Sequence, residues 1–289
     1  MNASAGSPAL AAPSRPERGL FPYLFGGCLL VTTVLSWHAA QVRPLLLFEA
    51  EGRRNILKFV AGAFPPALSL DFLQLLVRPF FETIWISVLG TAIAVAIGFP
   101  LGFLATSNIA WSGILHATDA GAPLRRAAKI APYAAVRLLL SVFRSIPEYV
   151  WAFMFVRVVG LGPVPGVLAI GLSYGGMLGK VYSEILEGVN EQPIEALQAT
   201  GAGRAQIVLY GFLPQVLPQF VSYTLYRWEC AIRASAILGL VGAGGLGQQI
   251  ELSMRMFQFD EVLTLLGIMF VLVAAVDFIS GRIRAALLR

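Results

Sequence analysis

Long apolar runs alternate along this chain with shorter polar stretches. The alternation predicts membrane-spanning helices joined by loops. Gly19–Val42 carries no Asp, Glu, Lys or Arg over 24 residues, Thr83–Thr118 none over 36, and Val158–Gly179 and Ala205–Tyr226 none over 22 each. About 20 apolar residues cross a bilayer. Six spans are expected: 19–42, roughly 80–105, 133–159, 165–182, one within 205–226, and 262–279. An even number puts both termini on one side. The first run is too long for a signal-peptide core of about 7–15 residues and has no clear small-residue cleavage site, so it reads as a span.

The polar interruptions differ in kind. Residues 1–18 are rich in Ala, Ser and Pro and read as a disordered tail. Residues 43–78 mix Arg43, Glu49, Glu51, Arg53, Arg54, Lys58, Asp71 and Arg78 with apolar residues, which predicts an extramembrane loop with one or two interfacial helices. A second polar loop contains Asn108, Gly113, Arg125, Arg126 and Lys129. The third span holds Arg137, Arg144, Glu148 and Arg157. Each such charge costs about 2.5–3.5 kcal/mol at mid-membrane on insertion scales. Pro147 also interrupts the hydrogen-bond ladder. This span is therefore expected to be kinked and to face protein or water. The glycine-dense segment around 234–250 is too irregular for a span and reads as re-entrant, under the cover of other protein.

Residues 188–204 are organised differently from an ordinary loop. Pro193 suits a first helical turn, Glu195 lies near the positive helix N-terminus, and Gly201 suits a left-handed stop. A short ordered helix outside the membrane is expected to serve as a docking surface.

Composition supports the membrane class and narrows the chemistry. The chain is 57% hydrophobic and 13% charged, with mean hydropathy +0.74, against about 25% charged in soluble domains. Long uncharged runs exclude the alternating pattern of a β-barrel. The net charge of +5 is scattered among the spans, which fits membrane loops and not nucleic acid. The basic residues of the two tails, the 107–137 loop and the 180–206 loop outnumber those of residues 43–78, which favours the cytoplasm for the first set. Cys28, Cys230, His38 and His116 have no metal-type spacing. Gly242-x-Gly244-x-x-Gly247 matches a dinucleotide fingerprint in form only, because no βαβ context surrounds it. It reads as close packing or a bend. No G-x-x-x-x-G-K-[ST] is present, so an ATP-driven process would need a partner ATPase.

Glu195-Ala196, Gly201 and Leu213-Pro214 keep the register of the EAA loop, and the stretch resembles that loop of ABC importer membrane subunits. Leu197 stands where a second Ala is usual, and Gly211 where Ile is usual. Arg144-Ser145-Ile146-Pro147-Glu148-Tyr149-Val150-Trp151-Ala152 and Tyr226–Gly247 are similar to segments of phosphonate importer permeases, with Ala231 in place of a usual Asn. The resemblance covers roughly 75–285 and implies an all-α polytopic membrane protein with the type I ABC importer permease fold. With the hydropathy pattern, the expected division is a tail (1–18), a first span (19–42), a periplasmic loop (43–78) and a transmembrane domain (79–289) with coupling loop 188–204. The resemblance implies a non-catalytic inner-membrane subunit with both termini cytoplasmic, acting as a homodimer. The implied partners are two cytosolic ATPase subunits, which bind ATP and Mg, a periplasmic phosphonate-binding protein and the lipid bilayer. No cofactor or metal belongs to the chain itself.

In that family the EAA loop docks on the ATPase, which assigns coupling to Pro193, Glu195, Ala196, Gly201 and Arg204. The expected cargo is phosphonate, phosphite or hypophosphite. Arg offers a donor fork suited to such anions. Arg144, Ser145, Glu148, Tyr149, Glu229, Arg233 and Ser235 are the candidate path residues, with Ser173, Tyr174 and Gln248 behind them. The alternative for the charged residues is structural pairing of Arg144 with Glu148 and of Glu229 with Arg233, each four apart on one helix. Other readings of the whole are a permease of the same fold for methionine or another oxyanion, a secondary transporter, or an intramembrane enzyme. The paired repeat halves and paired catalytic groups that the last two require are not visible.

Overall fold

The computed structural model describes residues 20–41, 48–110 and 123–287, apart from the side chains of 109, 110, 123–129, 204 and 287. The expected tail, residues 43–47, Arg289 and the side chains of Arg125, Arg126, Lys129 and Arg204 lie outside the described residues. The described residues are helical and contain no strand.

The chain divides into two units, residues 1–58 and 59–289. The first holds α1 (Phe21–Ala39), which buries none of its residues. A helix apolar on every side and packed on nothing within its own unit is suited to lipid. It lies within the residues expected for the first span and is long and apolar enough to cross a membrane. The first part of α2 (Ala50–Ala63) follows, carrying Glu51, Arg53, Arg54 and Lys58.

The second unit is built on α3 (Leu70–Leu104) and α7 (Pro163–Glu187). The expected span began near residue 80, but α3 starts at Leu70. Ser69 enters with extended backbone, Asp71 complements the helix dipole, and no Gly or Pro intervenes before Pro79. At about 1.5 Å per residue this 35-residue helix exceeds the bilayer core of about 30 Å. Gly90 lies against Ile170, Gly98 against Leu178 and Gly102 against Tyr182, so the two helices run parallel. A Cβ at Gly98 would stand 3.0 Å from the backbone N of Gly179. Small residues at this spacing let backbones approach closely, which is how helices gain packing in lipid.

Between them, α5 (Pro123–Ser145) and α6 (Glu148–Val159) form the expected broken span, bent by 86° at Ile146-Pro147. A 4-residue helix, α4 (Ser107–Ala110), precedes them. After α7 come the short α8 (Gln192–Ala199), α9 (Arg204–Gln206) and a π-helical turn (Ile207–Phe212). The last long elements are α10 (Leu213–Leu240), α11 (Gly245–Arg255) and α12 (Phe259–Leu287). Among the described residues, five helices are long and apolar enough to cross a membrane, and the bent pair brings the count to six if it forms one span.

α10 continues well past the expected end near residue 226. Two of its charges, Glu229 and Arg233, are answered from α12. Glu229 pairs with Arg284 at 2.7 Å and Arg233 with Asp277 at 3.7 Å. These partners replace the same-helix pairing considered from spacing. Arg144 and Glu148 are likewise not on one helix, since the break falls between them. The glycine-dense segment then folds back. A Cβ at Gly247 would fall 1.9 Å from the Ala236 carbonyl oxygen, so α11 crosses α10 backbone to backbone. Gly162 N–H bonds to the Gly242 carbonyl at 3.0 Å, and Leu246 N–H to Thr83 Oγ1 at 2.9 Å. The dinucleotide-like glycines are packing and turn residues.

Candidate functional site

Two groups of residues stand out. The first is α8. Asn190 Oδ1 accepts the Gln192 N–H at 3.1 Å ahead of Pro193 in the first turn. At the other end, Gly201 has φ +79°. Ala202 N–H bonds to the Leu197 carbonyl at 3.2 Å and Gly201 N–H to the Gln198 carbonyl at 2.9 Å. This pair of bonds is a Schellman closure, which satisfies the last carbonyls and needs a left-handed residue at the position Gly201 occupies. Ile194, 1% exposed, anchors the helix inward, while Pro193, Glu195 and Ala196 face outward. Of Arg204, only its place in the first turn after the loop is described.

α8 sits on the π turn. A Cβ at Gly211 would stand 3.2 Å from Leu197 Cδ1 and 3.4 Å from Ile194 Cγ1. The turn widens where Pro214, lacking an N–H, leaves the Tyr210 carbonyl without its usual donor. Leu213 N–H instead reaches back five residues to Val208. The stretch entering α8 is also tied down. Arg137 of α5 pairs with Glu187 of α7 at 2.7 Å and donates to the Ala105 carbonyl at 3.1 Å. Ser107 N–H donates to the same Glu187 carboxylate at 2.8 Å. One knot thus joins the C-terminal ends of α3 and α7 to the middle of α5. The sequence pattern marks Arg137 as a charge within the third span but gives no sign of its partner Glu187.

The second group surrounds the break between α5 and α6. Arg144 occupies the last turn of α5 and Glu148 the first turn of α6, each at the helix end its charge favours. Trp151 Nε1 donates to the Phe143 carbonyl at 3.3 Å, supplying a donor that the broken helix lacks. Gly176 of α7 admits the α5 backbone, since a Cβ there would be 2.9 Å from Arg144 N. Arg144, Ser145 and Tyr149 are exposed and Glu148 is half-buried.

Arg233 is exposed beside Asp277, whereas Glu229 and Ser235 are buried. The Ser235 hydroxyl bonds to the Ile232 carbonyl at 2.7 Å. Ser173 is buried, and Gln248 lies near the glycine crossing. Tyr174 is 4% exposed, with the Arg227 guanidinium 5.8 Å from its ring centroid. Arg227, not foreseen, donates from Nε and Nη2 to the Tyr223 hydroxyl at 2.8 and 2.6 Å. The spacing Tyr223-x-x-Tyr226-Arg227 puts these three on one helix face and was the available signal.

Parallel glycine-packed spans, a broken polar span and a protruding helix fastened to a long inner helix define a membrane-spanning transport permease. Residues 113–289 match the family described as binding-protein-dependent transport system inner membrane component. The chain is 38% identical over 268 residues to the phosphite transport system permease protein PtxC of Stutzerimonas stutzeri, covering 93% of this chain and 88% of that one. It is 31% identical over 256 residues to the phosphate-import permease protein PhnE of Mycolicibacterium smegmatis, covering 89% and 44% respectively. Among solved structures it is similar to the inward-facing MetNI methionine ABC transporter, with TM-score 0.62, 27% identity, and coverage of 77% of this chain and 100% of that chain. The chain belongs to the family of inner-membrane components of binding-protein-dependent transport systems.

Proposed function

We propose that this chain forms the inner-membrane path of an ABC importer for phosphorus oxyanions of the phosphonate and phosphite class. The observation that carries the mechanism is the seating of α8 on Gly211. An outward-facing helix closed at both ends rests, through Ile194 and Leu197, on the turn that begins α10. A push on Glu195 and Ala196 is passed to α10 without a flexible joint. Two cytosolic ATPase subunits, binding ATP and Mg, supply that push, each to one copy of the chain in a homodimer. Pro193, Gly201 and Arg204 shape the docking loop. This orientation places both termini in the cytoplasm.

ATP binding draws the ATPases together, moves the two α8 helices and switches the path between inward and outward access. A periplasmic binding protein delivers the anion. Arg144, Ser145, Glu148 and Tyr149, grouped at the break, are the path residues on the α5–α6 side. Glu229 and Arg233 fasten α10 to α12, and Ser235 packs behind them. The cargo assignment draws on PtxC and PhnE, whose names give phosphite and phosphate.

The test is uptake by proteoliposomes that contain the permease, its ATPase and its binding protein. Labelled phosphite or methylphosphonate should accumulate with ATP, and methionine should not. Methionine uptake without oxyanion uptake would overturn the cargo assignment.

A further inference from the structure

Most cations of the helical core have a carboxylate partner. Arg137 has Glu187, Arg233 has Asp277, Arg284 has Glu229 and Lys180 has Glu184. Such pairs cancel the charge and occupy the donor fork. Arg227 is held differently. It is half-buried and has no carboxylate within ion-pair distance among the described residues. Its guanidinium stands 5.1 Å from the Tyr223 ring centroid and 5.8 Å from those of Tyr226 and Tyr174. Arg144, Arg157 and Arg282 are exposed by contrast.

Aromatic faces hold a cation without neutralising it. A guanidinium has five N–H donors, and Tyr223 takes a bond from two of them. The remaining donors and the whole charge stay available. Tyr174, on α7, brings this cage against a second helix. A tetrahedral phosphorus oxyanion presents oxygens spaced for a guanidinium fork.

We infer that Arg227, caged by Tyr174, Tyr223 and Tyr226, is the guanidinium that meets the transported oxyanion inside the permease. The inference rests on the importer reading above and adds the residue that contacts its cargo. Arg233, latched to Asp277, is then a fastening residue of α10.

The experiment reads phosphite accumulated per ATP hydrolysed in proteoliposomes of the complete importer. The ratio matters because misfolding lowers both quantities, whereas a lost cargo contact lowers uptake more than hydrolysis. Arg227→Gln should reduce the ratio by about tenfold, as expected for a lost charge-assisted hydrogen bond. Arg227→Lys, which keeps the charge without the fork, should fall in between. Tyr223→Phe keeps the ring and removes the anchoring hydroxyl, and should reduce the ratio about threefold. If wild type accumulates no phosphorus oxyanion, the importer reading itself falls. If wild type accumulates it and Arg227→Gln does so equally per ATP, the assignment of Arg227 is overturned. Where Arg227→Gln does not assemble, an unchanged ratio in Tyr223→Phe overturns it instead.

Discussion

Leu197 and Gly211 fill one another's space. A methyl group on Gly211 would come within 3.2 Å of Leu197 Cδ1, so the large side chain on α8 occupies the room left by the missing one on the π turn. These are the two positions at which the loop departs from the EAA pattern, where a small residue and a large one are usual. The departures are a single exchange of size across one contact.

That contact makes a double-mutant cycle informative. Leu197→Ala should cost about 2 kcal/mol by leaving a void, at the low end of the range because the site is half-buried. Gly211→Ile should cost about 1–3 kcal/mol by overpacking. The double variant should recover most of both losses, with a coupling of about 1–3 kcal/mol. Thermal unfolding of the detergent-solubilised complex measures it. Simple additivity would show that the two side chains do not share the space.

Gly201 sets the end of α8. Its φ of +79° is one that a side chain resists, so Gly201→Ala should cost about 1 kcal/mol and loosen the closure. Gly201→Asn, which tolerates the left-handed region, should lose less. Equal loss in both variants, read as melting temperature and ATP-driven uptake, would argue against the Schellman closure.

The two ion pairs between α10 and α12 should not be equal. Glu229 has a side chain 7% exposed against Arg284, while Arg233 and Asp277 are 47% and 45% exposed. Glu229→Gln leaves Arg284 without its buried counter-charge, at a cost on the order of 3 kcal/mol. Asp277→Asn should cost about 1 kcal/mol or less. Thermal inactivation of the two variants gives the ranking, and a larger effect for Asp277→Asn would reverse it.

Much of this architecture is legible along the chain because it depends on neighbours in sequence. Pro147 and the charges around it announce the break between α5 and α6, and Pro193 with Gly201 brackets α8. The limits of α3 and α10 are not legible in the same way. Asp71, Arg78, Glu229 and Arg233 read as reasons to end a span, and only a partner on a distant helix shows why Glu229 and Arg233 stay inside one. Spacing offered Glu148 and Glu229 as partners for Arg144 and Arg233 because i,i+4 neighbours are what one helix displays. The helix break and α12 then decided otherwise. The cage around Arg227 was half visible in Tyr223 and Tyr226. Its third wall, Tyr174, comes from α7 and emerges only from packing.

The central claim is that α8 is the handle by which an ATPase moves α10, and Ala196 is the place to test it. Ala196 is small and exposed, so a cysteine there should leave the fold intact. In the assembled importer, Ala196→Cys should cross-link to a cysteine in the docking groove of the ATPase, and the cross-linked complex should be arrested in ATP-driven phosphite uptake until reduced. Absence of any cross-link from Ala196→Cys in a complex that still imports phosphite would contradict the account.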